Sequence, residues 1–479
     1  MLQTLINAWK IADLRKKILF TAFILLVFRV GSAITIPFVN IGVDGIIPDA
    51  ANDSSFLSYL NMMTGNAFNY ATILAMSITP YINSSIIMQL LTVAIPALER
   101  LQKEGEEGRK KIAAITRYVT IGLGLMQSTA YYFYLRNGGG GASGVATYLQ
   151  TQADGSFFTG FTGVLQALVI ISVLTAGAGL TMWLGERIND KGIGNGVSIL
   201  LFAGIVARIP SLATSLYSWT RPETNGVKGQ YVGYFWRGGP YYFLVPLATI
   251  GLLAIVAFIV WMDNAERRIP VQYAKRVVGR KMYGGQSTHI PIKVNMSGVM
   301  PVIFASSILS LPPTVEMFIS KPSAGWQSFF SVFQQSNWVY VPIYFVLIIG
   351  FAYFYSSIQY DPVEMSNNIR KNSGTIPGYR PGQPTADYIK RILSRITLLG
   401  ALLLSVVALF PIVFSLLSGL VLKAAQFPQV TDSYGNLQNA TMSISMGGTS
   451  IIIMVGVALE TVKQLESQMM MRHYKGFLD

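Results

Sequence analysis

Ten apolar stretches run along the chain, near residues 18–36, 70–95, 112–135, 161–184, 195–215, 241–262, 296–315, 339–358, 391–418 and 446–466. Each is close to the roughly 20 residues that a helix needs to cross a bilayer. The pattern predicts an all-α integral membrane protein of ten transmembrane helices. Ten spans divide into two halves of five, 18–215 and 241–466, joined by an external loop at 216–240. An odd number per half makes the second half enter the membrane from the opposite side, the inverted pseudo-symmetry of proteins with a central pathway. That division rests on the span count, because no residue-level repeat stands out.

The polar segments set the orientation. Residues 263–295 carry Arg267, Arg268, Lys275, Arg276, Arg280, Lys281 and Lys293 against only Asp263 and Glu266, and 359–390 form a second long basic loop. With the amino terminus inside, 28 of the 36 Lys and Arg fall on the inner side and 7 outside, and Arg29 lies within the first span. The positive-inside rule therefore puts both termini, residues 1–17 and 467–479, in the cytoplasm. The first 17 residues read as an amphipathic interface helix ending in Arg15, Lys16 and Lys17. A basic arm tied to the membrane at both ends reads as a docking surface.

Composition narrows the chemistry. Hydrophobic residues make up 52% and charged residues 12%, against about 25% charged in a soluble domain. There is no cysteine, so disulfides, thiolate metal sites and thiol nucleophiles are excluded. The two histidines, His289 and His473, sit far apart in polar segments, so no metal site is expected. The glycine-rich runs GIGNGV (192–197) and GGGGASG (138–144) lack the strand or lysine of a nucleotide loop and read as turns. With no cofactor and no catalytic residues, the chain is not expected to be an enzyme or to power transport itself. A secondary transporter of small solutes is the alternative class. It needs charged groups at mid-span, where only Arg29 is found. An intramembrane hydrolase lacks its aspartate dyad or histidine pair.

Two local features stay open on the residues alone. Phe56 to Gly65 (FLSYLNMMTG) has helical apolar spacing but is too short to cross; it is either an interfacial helix on the outer surface or a re-entrant plug. Thr79-Pro80 is expected to break the second span, beside a polar patch at Asn83, Ser84 and Ser85, and Pro301 sits early in the seventh.

Four motifs, taken in order, carry a resemblance over nearly the whole chain. They are GERINDKGIGNGVSILLFAGIVA (185–207), ERRIPVQYAKR with QSTHIPIKVNMSGVMPVIFASSI (266–308), IPGYRPGQPT (376–385) and GGTSIII (447–453). The chain resembles the SecY/Sec61-alpha family, the channel subunits of the Sec protein translocase. The resemblance implies a protein-conducting channel of the bacterial cytoplasmic membrane that also releases signal sequences and membrane segments sideways into lipid. It implies a pore ring at Ile78, Ile82, Val197, Leu201, Ile303 and Ile453. Phe56, Leu57, Tyr59, Leu60, Met62, Met63 and Gly65 fall in the plug, within 56–69. A lateral gate runs between the second and third spans and the seventh and eighth, with Asn83, Gln127, Ser128 and Leu311 as candidates; Asn83 and Leu311 are both expected on the outer-leaflet side. The implied partners are SecE, SecG, the ATPase SecA, the ribosome, signal-bearing preproteins and anionic lipid, with YidC and SecDF as further associates. Arg267, Arg268, Lys275, Arg276, Arg280 and Lys281 would meet the ribosome or SecA. Arg380, framed by Pro377-Gly378 and Pro381-Gly382, is held outward by its turn and would meet the motor.

A ring of flexible aliphatic side chains suits such a pore physically. A narrow dewetted constriction excludes ions without binding the passing chain.

Overall fold

The computed structural model describes residues 2–39, 61, 64–136, 149, 161–210, 213–214, 217, 241–273, 276–278, 281–283, 287–316, 324–333, 337–424, 430–431, 437–438 and 448–475. Its amino-terminal half holds α1 (Leu2–Lys10), α2 (Ala12–Gly31), α3 (Thr79–Ala94), α4 (Pro96–Lys103), α5 (Glu106–Arg136), α6 (Phe161–Lys191) and α7 (Gly196–Val206). The carboxy-terminal half begins with α8 (Tyr241–Asn264), followed by strands β1 (Glu266–Tyr273), β2 (Arg276–Val278), β3 (Lys281–Tyr283) and β4 (Ser287–Lys293). It continues through α9 (Met300–Glu316), α10 (Ala324–Ser331), α11 (Tyr340–Gln359), α12 (Pro362–Lys371), β5 (Gly374–Thr375) and α13 (Gln383–Ala424). A short hairpin, β6 (Val430–Thr431) and β7 (Leu437–Gln438), precedes α14 (Gly448–Lys475).

A helix overlaps each of the ten apolar stretches. Among the described residues, five helices are long and apolar enough to cross a membrane by length and composition, and the bent pair α3–α4, turned by 100°, makes six. Large apolar side chains such as Leu168, Phe243, Leu253, Val346 and Val406 remain exposed along the helices. Lipid is the environment in which such a girdle carries no penalty.

Two boundaries differ from expectation. Ile11 is extended (φ −88°, ψ 117°) and separates α1 from α2. The interface helix thus stops at Lys10, and Arg15, Lys16 and Lys17 belong to the first turns of α2. In the second stretch only 79–94 is helical, and Pro80 starts α3 rather than breaking a span. At the first turn the missing N–H of proline has no helical partner to lose.

Residues 64–78 ahead of it are irregular yet mostly buried. Non-helical backbone at membrane depth persists where protein covers it and satisfies its polar groups. Here Ile36 N donates to Ala71 O (3.0 Å) and Ile73 N to Ile34 O (2.9 Å). Gly177 of α6 makes the close approach possible, since a Cβ there would sit 1.9 Å from the Ile73 carbonyl oxygen.

The basic arm is a β-hairpin. Strands β1 and β4 pair antiparallel from Glu266↔Lys293 to Gln272↔Ser287, with a smaller β2–β3 ladder at the tip. Strand β5, from the second basic loop, joins the other edge of β1 at Gln272↔Thr375. The alternation in ERRIPVQY sends Ile269 and Val271 inward and Arg268, Pro270 and Gln272 outward, while Arg267, of the inward parity, is exposed ahead of the buried pair. Those inward residues close a core with Ile292, Met296, Ile369, Ile376, Ile389 and Leu393. The two basic loops are therefore one folded unit.

Candidate functional site: a sealed centre and a basic platform

Helices α3 and α9 begin alike. Ile78-Thr79-Pro80-Tyr81-Ile82 corresponds to Val299-Met300-Pro301-Val302-Ile303, with proline at the second helical position in each. Two residues before each helix the backbone turns left-handed, at Ser77 (φ 47°) and Gly298 (φ 60°). Each helix also follows an irregular stretch, 64–78 or 294–299. These are the second long helices of the two halves, so a local repeat links them. The shared pattern, an aliphatic residue two before proline and isoleucine two after, was readable in the sequence.

The repeat delivers Ile82 and Ile303 to one buried apolar cluster. Ile78, Ile82, Leu201, Ile303 and Ile453 belong to one buried apolar cluster, and half-buried Val197 packs against it. They come from the starts of four helices, α3, α7, α9 and α14, two from each half. Ile78/Ile82 and Val197/Leu201 are each one turn apart and share a helix face. Asn195 starts α7 by accepting hydrogen bonds from Val197 N and Ser198 N, which fixes where Val197 enters. Gly185 of α6 leaves room behind, with Ile78 Cδ1 and Leu200 Cδ1 each 3.5 Å from where its Cβ would be.

The four candidate gate residues separate. Asn83 is buried beside Ile82, and its Oδ1 and Thr79 Oγ1, one turn earlier, have no hydrogen-bond partner. Ser128 faces α6, where Thr175 Oγ1 donates to it at 3.3 Å, so it is a bond within the amino-terminal half. Gln127 is half-buried next to it. Leu311 is exposed and lies eight residues beyond Ile303, about 12 Å along α9. Asn83, by contrast, follows Ile82 directly, near the start of α3.

Of the plug candidates, Phe56, Leu57, Tyr59, Leu60, Met62 and Met63 lie outside the described residues. Gly65 is buried with φ 64°, packed so tightly on α7 that a Cβ would come 2.8 Å from the Gly204 carbonyl oxygen. Its own carbonyl accepts from Arg29 Nη1 at 3.3 Å. That contact gives the lone charge of the first span a partner the sequence did not reveal. Nearby, Asn61 Nδ2 donates to Asn66 Oδ1 (3.0 Å), Asn69 N donates to Asn61 Oδ1 (3.1 Å), and Tyr131 Oη donates to Phe68 O (2.6 Å).

On the platform, Arg380 is exposed at the tip of a pinned turn. Gly378 (φ 84°) and Gly382 (φ 110°) flank it in conformations that favour glycine. Thr385 Oγ1 donates to Arg380 O and Ser366 Oγ to Gly382 O, both at 2.8 Å. The Tyr379 ring stacks on Tyr388 with centroids 4.1 Å apart. Arg267 is exposed, and Arg268 pairs with Glu266 at 2.8 Å on the surface. Arg276 and Lys281 lie on β2 and β3, while Lys275 and Arg280 fall outside the described residues.

Helices apolar and long enough to cross a membrane, packed through one large buried apolar cluster, define a polytopic membrane protein. A model of the SecY family matches residues 72–462, and the chain belongs to that family. It is 42% identical over 490 residues to the protein translocase subunit SecY of Mycobacterium tuberculosis (strain ATCC 25618 / H37Rv), and 42% over 487 residues to that of Streptomyces scabiei, covering all of both chains each time. Among solved structures, one described as a protein conducting channel aligns with TM-score 0.56 at 15% identity, over 95% of this chain and 92% of that one. Sec61 in the canine ribosome-channel complex aligns at 0.53 and 14%, with the same coverage. At those identities the likeness is one of fold. The chain is a membrane-embedded translocase channel subunit and not an enzyme, and nothing favours transport of small solutes.

Proposed function

We propose that the chain passes unfolded secretory polypeptides across the bacterial cytoplasmic membrane through the centre between its halves. The observation that carries this reading is the meeting of Ile78, Ile82, Val197, Leu201, Ile303 and Ile453, from four helices of both halves, in one apolar cluster. An aliphatic seal of this kind yields to any side chain and still dewets against ions at rest. Ten spans with both termini cytoplasmic complete the topology, with the plug at 56–69 closing the outer side. The seam of α3 and α5 against α9 and α11 is the exit for signal sequences and membrane segments.

The energy comes from partners on the cytoplasmic platform. Arg380, rigidly presented, meets SecA; the remaining basic residues, Arg267, Arg268, Lys275, Arg276, Arg280 and Lys281 among them, meet rRNA phosphates or anionic lipid electrostatically. SecE and SecG complete the membrane complex, with YidC and SecDF as further associates. Planar-bilayer recordings of Ile82→Gly with Ile303→Gly test the seal: resting ion conductance rises well above the parent. A variant as tight as the parent means that these side chains do not form the constriction.

A further inference from the structure

The stretch WQSFFSVF (326–333), between α9 and α11, has no part in the ring, the seam or the platform. Its rings fall at 326, 329, 330 and 333, the spacing of a single helix stripe. That stripe is only half covered. Phe330 is buried and Phe333 packs against the central apolar cluster, whereas Trp326 and Phe329 stay 55% and 49% exposed. The outer pair rests on the inner one: the Trp326 ring stacks on Phe330 with centroids 5.7 Å apart, and Phe329 meets Phe333 edge-on at 5.3 Å. Rings braced in this way are ordered before anything meets them.

The neighbouring elements extend the same character. Trp338 and Val339, just ahead of α11, are exposed, and Val339 N donates to Asn337 Oδ1 at 3.0 Å, which fixes the approach to the helix. Leu311 and Val315 are exposed on α9, against which α10 packs. No charged residue occurs from 322 to 360. A face of exposed rings is an association hazard in water, and a protein partner ordinarily meets a polar rim around such a face. The headgroup region of a bilayer needs no rim, and tryptophan is enriched there because its apolar body and polar N–H both find their surroundings.

We propose that α10 and the approach to α11 form an aromatic anchor, which seats Trp326, Phe329 and Trp338 among the lipid headgroups of the outer leaflet. Its occupant is the lipid surface. The anchor rests on the proposed function only for the choice of leaflet, since that topology places this loop outside. Phe330 and Phe333 pass the hold inward through their packing, so the outer end of α9 is moored at the level of the headgroups.

The chain has no cysteine, so a single introduced one reports without background. Phe329→Cys carries an environment-sensitive fluorophore in the full chain, reconstituted in nanodiscs of phosphatidylethanolamine and phosphatidylglycerol. A nitroxide beside the lipid headgroup quenches it about threefold more than one at the chain end, as interfacial depth requires. Aqueous iodide quenches it far less than the same dye at Arg380→Cys. Iodide quenching equal to that at Arg380→Cys means a water-facing surface and overturns the anchor. Protection from iodide and nitroxides alike means a protein cover, a second copy or another subunit, and overturns it too. Should Phe329→Cys fail to insert, Trp338→Cys takes the same measurement from a separate element. Sidedness is read on its own: in spheroplasts a membrane-impermeant maleimide leaves Arg380→Cys unlabelled. Labelling there overturns the orientation in the proposed function and with it the choice of leaflet, while the depth measurement still decides the anchor.

Discussion

Where α14 meets α7 and α1, the contact is continuous, apolar and closed by Ile193, Leu465 and the Lys17–Gln468 hydrogen bond. Where α9 meets α3 and α5, the helices touch at few positions, and α3 carries Thr79 Oγ1 and Asn83 Oδ1, buried with nothing bonded to them. Both are boundaries between the same two halves. An unpaired buried hydroxyl or amide oxygen carries a desolvation cost of about 1–3 kcal/mol, and both of these sit on α3. The sparsely packed boundary is the one expected to part.

The largest expected effect comes from locking the weak side. Asn83→Cys with Ser306→Cys puts a disulfide between α3 and α9, each residue close to its ring isoleucine in sequence and buried. A disulfide needs Cα atoms within about 7 Å. Oxidation should stop signal-dependent export and reduction should restore it. Complete linking with export at the parental rate removes α3 and α9 from the gate. Leu311, the first partner suggested by the sequence, is a poor choice given its distance along α9.

Almost as large is the loss expected on the platform, which tests whether the two seams are independent of the motor site. Arg380→Glu reverses the charge on a turn whose geometry depends on glycines and on Thr385 and Ser366 rather than on the guanidinium. SecA-driven export should be abolished while insertion of ribosome-coupled membrane proteins suffers less and the Asn83→Cys, Ser306→Cys pair still links. Normal export at ordinary SecA levels would falsify the motor contact.

The seal comes next. Ile82→Gly with Ile303→Gly opens a gap in the central cluster, and deletion of 57–68 should add to the resting conductance. If the deletion adds nothing in the glycine background, the segment does not stop the outer side.

Much of this was legible in the sequence, and the misses have physical causes. Apolar runs located a helix at every expected stretch because burial in lipid needs an unbroken run. They failed at 70–78, where an equally apolar segment is irregular, because periodicity cannot see that Ile34 and Ala71 satisfy backbone groups from elsewhere in the chain. The platform sheet was hidden for another reason. Its alternation covers only a few residues, and β5 reaches β1 from about a hundred positions away. The turn around Arg380 was readable because proline and glycine act locally. Arg29 was noticed as a lone charge, but its bond to Gly65 depends on a contact across 36 positions.

The smallest prediction concerns the unpaired oxygens themselves. Thr79→Val replaces the orphan hydroxyl with a methyl of nearly equal size, at a position whose neighbours are Ile78 and Ile82. The change removes a buried acceptor and donor without opening a cavity, so the closed seam should gain about 1 kcal/mol. Since 1.4 kcal/mol is tenfold in an equilibrium, the open population should fall about fivefold. Proteins with a weak signal sequence, which must open the seam with little binding energy, should be exported correspondingly less, and strong signals should hardly notice. Unchanged export of the weak signal, with normal levels of the variant, would mean that water already satisfies the hydroxyl in the membrane. The weakness of that seam would then have to lie in its sparse packing alone.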